Sequence, residues 1–202
     1  MGAHVIDSLL FQDLFGTERM REIFSDQNMV QKWLDVEASL ARVQSEMGII
    51  PKEAAEEIIR KAKAELMDFT EMKKQVDITG HPIVPLLRCL KDVCENNAGE
   101  YSHWGATTQD IMDTGMILQV REAYGEIYPK TKQLHSILCG LARKYRDLTM
   151  VGRTHGQHAE PLTFGLVCAV YLERLGGQLL EVRRALDGLQ GKFSGAVGAL
   201  VA

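Results

Sequence analysis

The stretch Gly152-Arg153-Thr154-His155-Gly156-Gln157-His158-Ala159-Glu160-Pro161-Leu162-Thr163-Phe164-Gly165 gathers the residue types that proton transfer on an anionic substrate requires. Histidine gains and loses a proton near neutral pH, so His155 can serve as an acid or a base. Arg153 offers a fork of donors that matches a carboxylate. Gly152, Gly156 and Gly165 allow the backbone to approach a ligand closely. Pro161 stands where a first helical turn accepts proline, so the spacing predicts a short loop opening into a helix. A polar interhelical turn with no ligand is the alternative.

A second stretch has the same character: Ser102-His103-Trp104-Gly105-Ala106-Thr107-Thr108-Gln109-Asp110-Ile111-Met112-Asp113-Thr114. It too runs from a glycine-containing loop into a helix. Thr107 and Asp110 have the spacing of a capping pair. The free N–H groups of that helix start, with the Thr107 and Thr108 hydroxyls, form a seat for an anion. Two histidine-bearing loops at helix starts predict one pocket built from both.

The elements that must hold these loops are all helical by pattern. A short helix is predicted over 17–24. Met29, Trp33, Val36, Leu40, Val43 and Met47 then alternate steps of four and three, an amphipathic helix stopped by Gly48 and Pro51. Pro51 opens a helix with the stripe Ala55, Ile58, Ile59, Ala62 and Leu66. A shorter one covers 69–76 and stops at Gly80. His81-Pro82 begins another, carrying Val84, Leu86, Leu87, Leu90 and Val93 as far as Gly99. A helix over 108–127 follows, and Pro129 starts the next, with Leu134, Leu138, Leu141, Tyr145 and Leu148 in the stripe. Residues 161–189 read as one helix of roughly 43 Å at 1.5 Å per residue, too long for a compact chain of this size and suited to an intersubunit bundle. Gly176-Gly177 within it signals close packing or a kink. No hairpin pattern is visible, and the fold class expected is all-α.

The chain has 202 residues, 46% hydrophobic and 25% charged, with net charge −4. No Lys/Arg block is present, so nucleic acid is a poor partner. No run is apolar enough to span a membrane, and residues 1–30 hold no signal-type segment. The Met1-Gly2 start has Ile6 where a myristoylation motif needs Ser or Thr. Cys89, Cys94, Cys139 and Cys168 lack Cys-x-x-Cys spacing and read as reduced core thiols of a cytoplasmic protein. His155 and His158 are three apart, but Gly156 and the loop setting argue against a metal pair, and no His-Glu-x-x-His cluster exists. No metal or cofactor is expected. His135 reads as a surface or capping residue, and His4 as part of a frayed end.

His103 through Asp110 and Gly152 through Gly165 resemble the fumarase/aspartase superfamily of lyases, in its adenylosuccinate lyase and carboxymuconate cycloisomerase branch. The similarity runs from about Leu14 to the last residue. It implies a small helical first domain over residues 1–106, then the opening part (107–202) of a long-helix bundle domain. It also implies a homotetramer whose active sites are shared between subunits. Family members continue past this point into a mobile loop carrying the basic serine and a lysine, so the chain is expected to be an N-terminal fragment, inactive alone.

The superfamily reaction removes a proton beside a carboxylate and expels an amine or oxygen leaving group. Donors that hold the charge delocalised into that carboxylate ease it. By resemblance, His155 is the general acid toward the leaving group, and His103 and His81 belong to the catalytic set. Thr107, Thr108, Gln109, Arg153, Thr154 and Gln157 bind the small anionic substrate. For His81, capping the following helix is the alternative. Adenylosuccinate lyases place an Arg-Tyr pair where this chain has Leu14-Phe15, and that segment resembles the cycloisomerases. Bacterial cycloisomerases, however, usually lack the histidine that His155 supplies. The expectation is a lyase releasing fumarate from an adenylosuccinate-like substrate, in purine biosynthesis. The alternatives are a cycloisomerase and, in a different class, a non-catalytic helical assembly protein.

Overall fold

Short polar side chains start four of the helices. Thr17, Ser25 and Thr163 each accept from the backbone N–H three residues on, and Asp68 accepts from Thr70 and Glu71. The computed structural model describes residues 4–200; the Met1-Gly2 start and the last two residues lie outside them. The order is α1 (Gln12–Phe15), α2 (Glu18–Ile23), α3 (Asp26–Glu46), α4 (Lys52–Lys61), α5 (Phe69–Thr79), α6 (Ile83–Val93), α7 (Thr108–Lys144), β1 (Thr149–Thr154), β2 (Gln157–Thr163) and α8 (Phe164–Gly188). The fold is all-α as expected, with one addition, the β1–β2 hairpin.

The chain forms two compact units, Met1–Glu122 with Gln190–Ala202, and Ala123–Leu189. The core of the first comes from Trp33, Leu34, Ile58, Ile83, Leu86, Leu90 and Ile111, all buried. Burying each such side chain contributes about 1.5–3 kcal/mol. Arg19, Asn28 and Lys32 meet Glu122 at 2.7, 3.1 and 3.2 Å and tie α2 and α3 to α7. Burial pushes the Glu122 carboxyl up, but these donors and cations outweigh it and hold it below its ordinary value.

In α3 the buried face only partly follows the stripe the periodicity marks, sharing Trp33 with it. Val30, Trp33, Leu34, Glu37, Ala41 and Gln44 are buried, whereas Val43 and Met47 are 46% and 70% exposed. The marked residues Val36, Leu40, Val43 and Met47 instead line an apolar cleft of about 530 Å³ closed by Ile111 and Phe193. Two polar residues on the buried face hid it from a hydrophobic pattern. The helix after Pro51 also ends early. The Gln31 amide donates to the Ala62 carbonyl and accepts from the Ala64 N–H, which breaks the turn there and leaves Leu66 exposed. Similarly α6 stops at Val93, before the left-handed pair Asn96 and Asn97.

In the second unit, Pro129 does not start a helix; it lies inside α7, which continues to Lys144. Only one N–H is lost there, and hydrogen bonding on either side carries the helix through. Gly165 lets α8 begin against the end of α7: an added Cβ would stand 2.7 Å from the Ala142 and Tyr145 carbonyl oxygens. Gly176 lies against His135, which is half-buried rather than on the surface. Leu134, Ile137, Leu166, Val170 and Leu180 are all exposed. No helix among the described residues is long and apolar enough to cross a membrane.

Candidate active site

His103 stands on the loop between α6 and α7, and its position is set from α3. Glu37, 1% exposed, presents Oε1 to His103 Nδ1 at 2.6 Å. One helical repeat on, Gln44 Nε2 donates to the Trp104 carbonyl at 2.7 Å. Residues 37 and 44 lie seven apart and so share a helix face. That face, with Ala41 between them, anchors the loop. Glu37 Oε2 and Gln44 Oε1 are buried without hydrogen-bond partners. Within the loop, the Ala106 N–H returns to the His103 carbonyl at 3.1 Å, a turn that uses Gly105 at φ 72°. Sequence periodicity did not mark Glu37 or Gln44; the usable signal was a polar residue recurring between apolar ones on the α3 face that also carries Trp33 and Ala41.

The start of α7 follows at once. Asp110 reaches back to accept from the Thr107 N–H at 3.1 Å, which is the capping relation the spacing predicted. Asp110 is fully buried and also accepts from the Ser194 and Gly195 N–H groups and the Ser194 hydroxyl. Burial pushes its carboxyl up, yet the three backbone donors and the hydroxyl more than offset that and hold it below the usual carboxylate range. Thr107 and Thr108 are partly exposed beside this pinned residue. Gln109 is exposed and donates to Asp113. His81 lies at the α5–α6 junction, where its carbonyl accepts from the Thr79 hydroxyl and its Nδ1 is buried without a partner.

The stretch from Gly152 to Gly165 is not a loop at a helix mouth. It is an antiparallel hairpin in which Thr154 pairs with Gln157 and Arg153 with His158, with an irregularity between Val151 and Arg153. The connecting residues His155 and Gly156 have φ 49° and 74°, the conformation of a two-residue type I′ turn. Pro161 therefore sits in β2, opposite Val151, and α8 begins only at Phe164. Gly152 is required because a side chain there would strike the Glu160 carbonyl. Directly paired residues share a face, so Arg153 stands beside His158 while Thr154 and Gln157 stand on the opposite face. His155 projects from the tip. Residues 153–161 are all exposed. The hairpin lacked a period-two signature because polar residues occupy both of its faces.

Among the described residues, five non-glycine residues have positive φ: Asn96, Asn97, His103, His155 and Leu200. Asparagine tolerates this region and histidine does so less readily, at a cost of order 1–3 kcal/mol. Both loop histidines singled out for acid–base chemistry are thus held in a disfavoured backbone conformation.

The chain is 39% identical over 98% of its length to N-acetyl-S-(2-succino)cysteine lyase of Enterococcus italicus, covering 44% of that protein. It is 40% identical over its whole length to adenylosuccinate lyase of Methanocaldococcus jannaschii, covering 43% of it. The 3-carboxy-cis,cis-muconate lactonizing enzyme of Pseudomonas putida superposes over 96% of the chain and 45% of its own, with TM-score 0.88 and 38% identity. The chain thus spans less than half the length of the relatives it matches. The family model described as Lyase matches residues 15–202, and the chain belongs to that family.

Proposed function

We propose that the protein carrying these residues is a fumarate-releasing lyase acting on a succinyl group borne by nitrogen or sulfur, with an adenylosuccinate-like substrate as the leading case. The two strained histidines, His103 and His155, carry this reading, because such backbone strain concentrates where a side chain must be aimed. The two relatives named above as lyases, an adenylosuccinate lyase and a succinocysteine lyase, share a succinyl group on a heteroatom. In the proposed reaction a basic group of the intact protein takes a proton from the carbon beside one carboxylate, and the electron pair forms the fumarate double bond as the C–N or C–S bond breaks. Thr107, Thr108 and Gln109 seat a carboxylate at the α7 start. His155 protonates the leaving heteroatom, and Arg153, Thr154 and Gln157 hold anionic groups. His103 and His81 complete the acid–base set.

The division at residue 106, cytoplasmic location and a homotetramer with shared sites are part of the same proposal. The exposed apolar residues of α7 and α8 support assembly. The 202 residues alone are proposed to be inactive, since the match covers under half of each relative.

The cycloisomerase is the second reading, favoured by Leu14-Phe15 and by the superposition on the lactonizing enzyme. Assaying the intact protein with adenylosuccinate, N-acetyl-S-(2-succino)cysteine and 3-carboxy-cis,cis-muconate decides between them. Fumarate from either succinyl compound supports the lyase. Lactone formation alone assigns the cycloisomerase, and turnover of none leaves a non-catalytic assembly protein.

A further inference from the structure

We propose that Glu37 is a positioning residue for His103: it holds the proton on Nδ1 and so makes Nε2 the atom that works on substrate. The proposal rests on the lyase reading only for what Nε2 meets; the pairing itself is independent of it.

Four observations converge. Glu37 lies on the buried face of α3, and its carboxylate reaches His103 Nδ1 at 2.6 Å. A carboxylate can only accept, so Nδ1 must donate. The Glu37 side chain is wholly enclosed, whereas 18% of His103's remains accessible, so the ring has one covered edge and one open. Among the described residues no hydrogen bond occupies Nε2. Finally, Glu37 Oε2 is buried with no partner. A carboxylate is costly to bury half-satisfied, and a helix face selected only for packing would carry leucine here. Beside it, Gln44 fixes the Trp104 carbonyl, so backbone and ring are anchored separately from one helix.

The test is histidine ring-nitrogen NMR on the 202-residue chain, with His103 assigned by His103→Gln. Expected is a His103 ring protonated at Nδ1, with that proton slow to exchange with water. In Glu37→Leu, which matches the volume and cannot accept, the Nε2–H form should predominate and the slow proton disappear. Glu37→Gln, which can accept through one oxygen, should retain an intermediate share of the Nδ1–H form. A wild-type ring in the Nε2–H form overturns the proposal, as does a Glu37→Leu spectrum like wild type. Should Glu37→Leu not fold, the wild-type and Glu37→Gln spectra still decide. In the intact protein, Glu37→Gln should lower kcat roughly 10–100-fold, as is typical for a partner that orients a working histidine, with KM changed less than threefold. An unchanged kcat in an active wild-type background overturns the positioning role. An inactive wild-type protein with the expected spectra overturns the lyase reading and leaves the pairing standing.

Discussion

Asp110 and Ser194 are joined across 84 residues of sequence by two hydrogen bonds, each 3.1 Å, from the Ser194 N–H and hydroxyl to Asp110 Oδ1. The carboxylate that caps α7 therefore also fastens the segment after α8 beside it. Asp110→Asn places an NH₂ against N–H donors and removes the charge. We expect a loss of about 2 kcal/mol at neutral pH, the scale of hydrogen bonds to a charged group, in urea unfolding. The Ser194 and Gly195 amides should lose hydrogen-exchange protection. Because the folded-state value of Asp110 is depressed, its contribution is present at neutral pH and lost as pH falls through that value. Wild type and variant should converge in acid. An equal gap at all pH values would show that the charge is not responsible.

His155→Asn separates catalysis from folding. Asparagine suits the left-handed turn better than histidine, so the melting temperature should hold or rise. With the transferable proton gone, kcat of the intact protein should fall by roughly 10²–10⁴-fold, with KM little changed. Near wild-type turnover would remove His155 from the mechanism and favour the cycloisomerase.

Thr108→Val tests the anion seat. The hydroxyl of Thr108 does not make the capping bond, which the Thr107 N–H donates to Asp110, so α7 should stay intact by circular dichroism. Loss of one donor to a carboxylate should cost about 10–100-fold in kcat/KM, partly through a raised KM. An unaltered KM and kcat would place the substrate carboxylate elsewhere.

Gly115→Ala probes the contact of α3 with α7. An added Cβ would stand 2.5 Å from Trp33 Cδ1. The helix-propensity gain is about 1 kcal/mol, while overpacking costs about 1–3 kcal/mol. A net loss of stability with a shifted Trp33 emission is expected. A more stable variant would show that the indole yields freely.

The helices were legible because their stops are local: Gly48 and Gly80 act within one turn of themselves. What was not legible depends on distant partners. Gln31 ends α4 from another helix, and the polar Glu37 lies on the most buried face of α3. Pro129 reads locally as a start, but its neighbours' hydrogen bonds carry α7 through. The site histidines stood out by type and neighbours, and the resemblance gave them roles. The carboxylate behind His103 did not stand out, because 66 residues separate the pair. The hairpin was missed because its strands bury almost nothing in this chain, so no alternation of apolar and polar residues was needed.

The two-residue turn at the hairpin tip also limits how the gene can change in length there. Strand side chains alternate with a period of two. A single-codon deletion between Thr154 and Gln157 would leave one residue to close the turn, too few for a hairpin loop, so the pairing of Arg153 with His158 would have to shift. The irregularity between Val151 and Arg153 cannot absorb the change, because Gly152 already lies against the Glu160 backbone. Substitution at position 155 keeps the pairing of Arg153 with His158 in register; a deletion beside it does not.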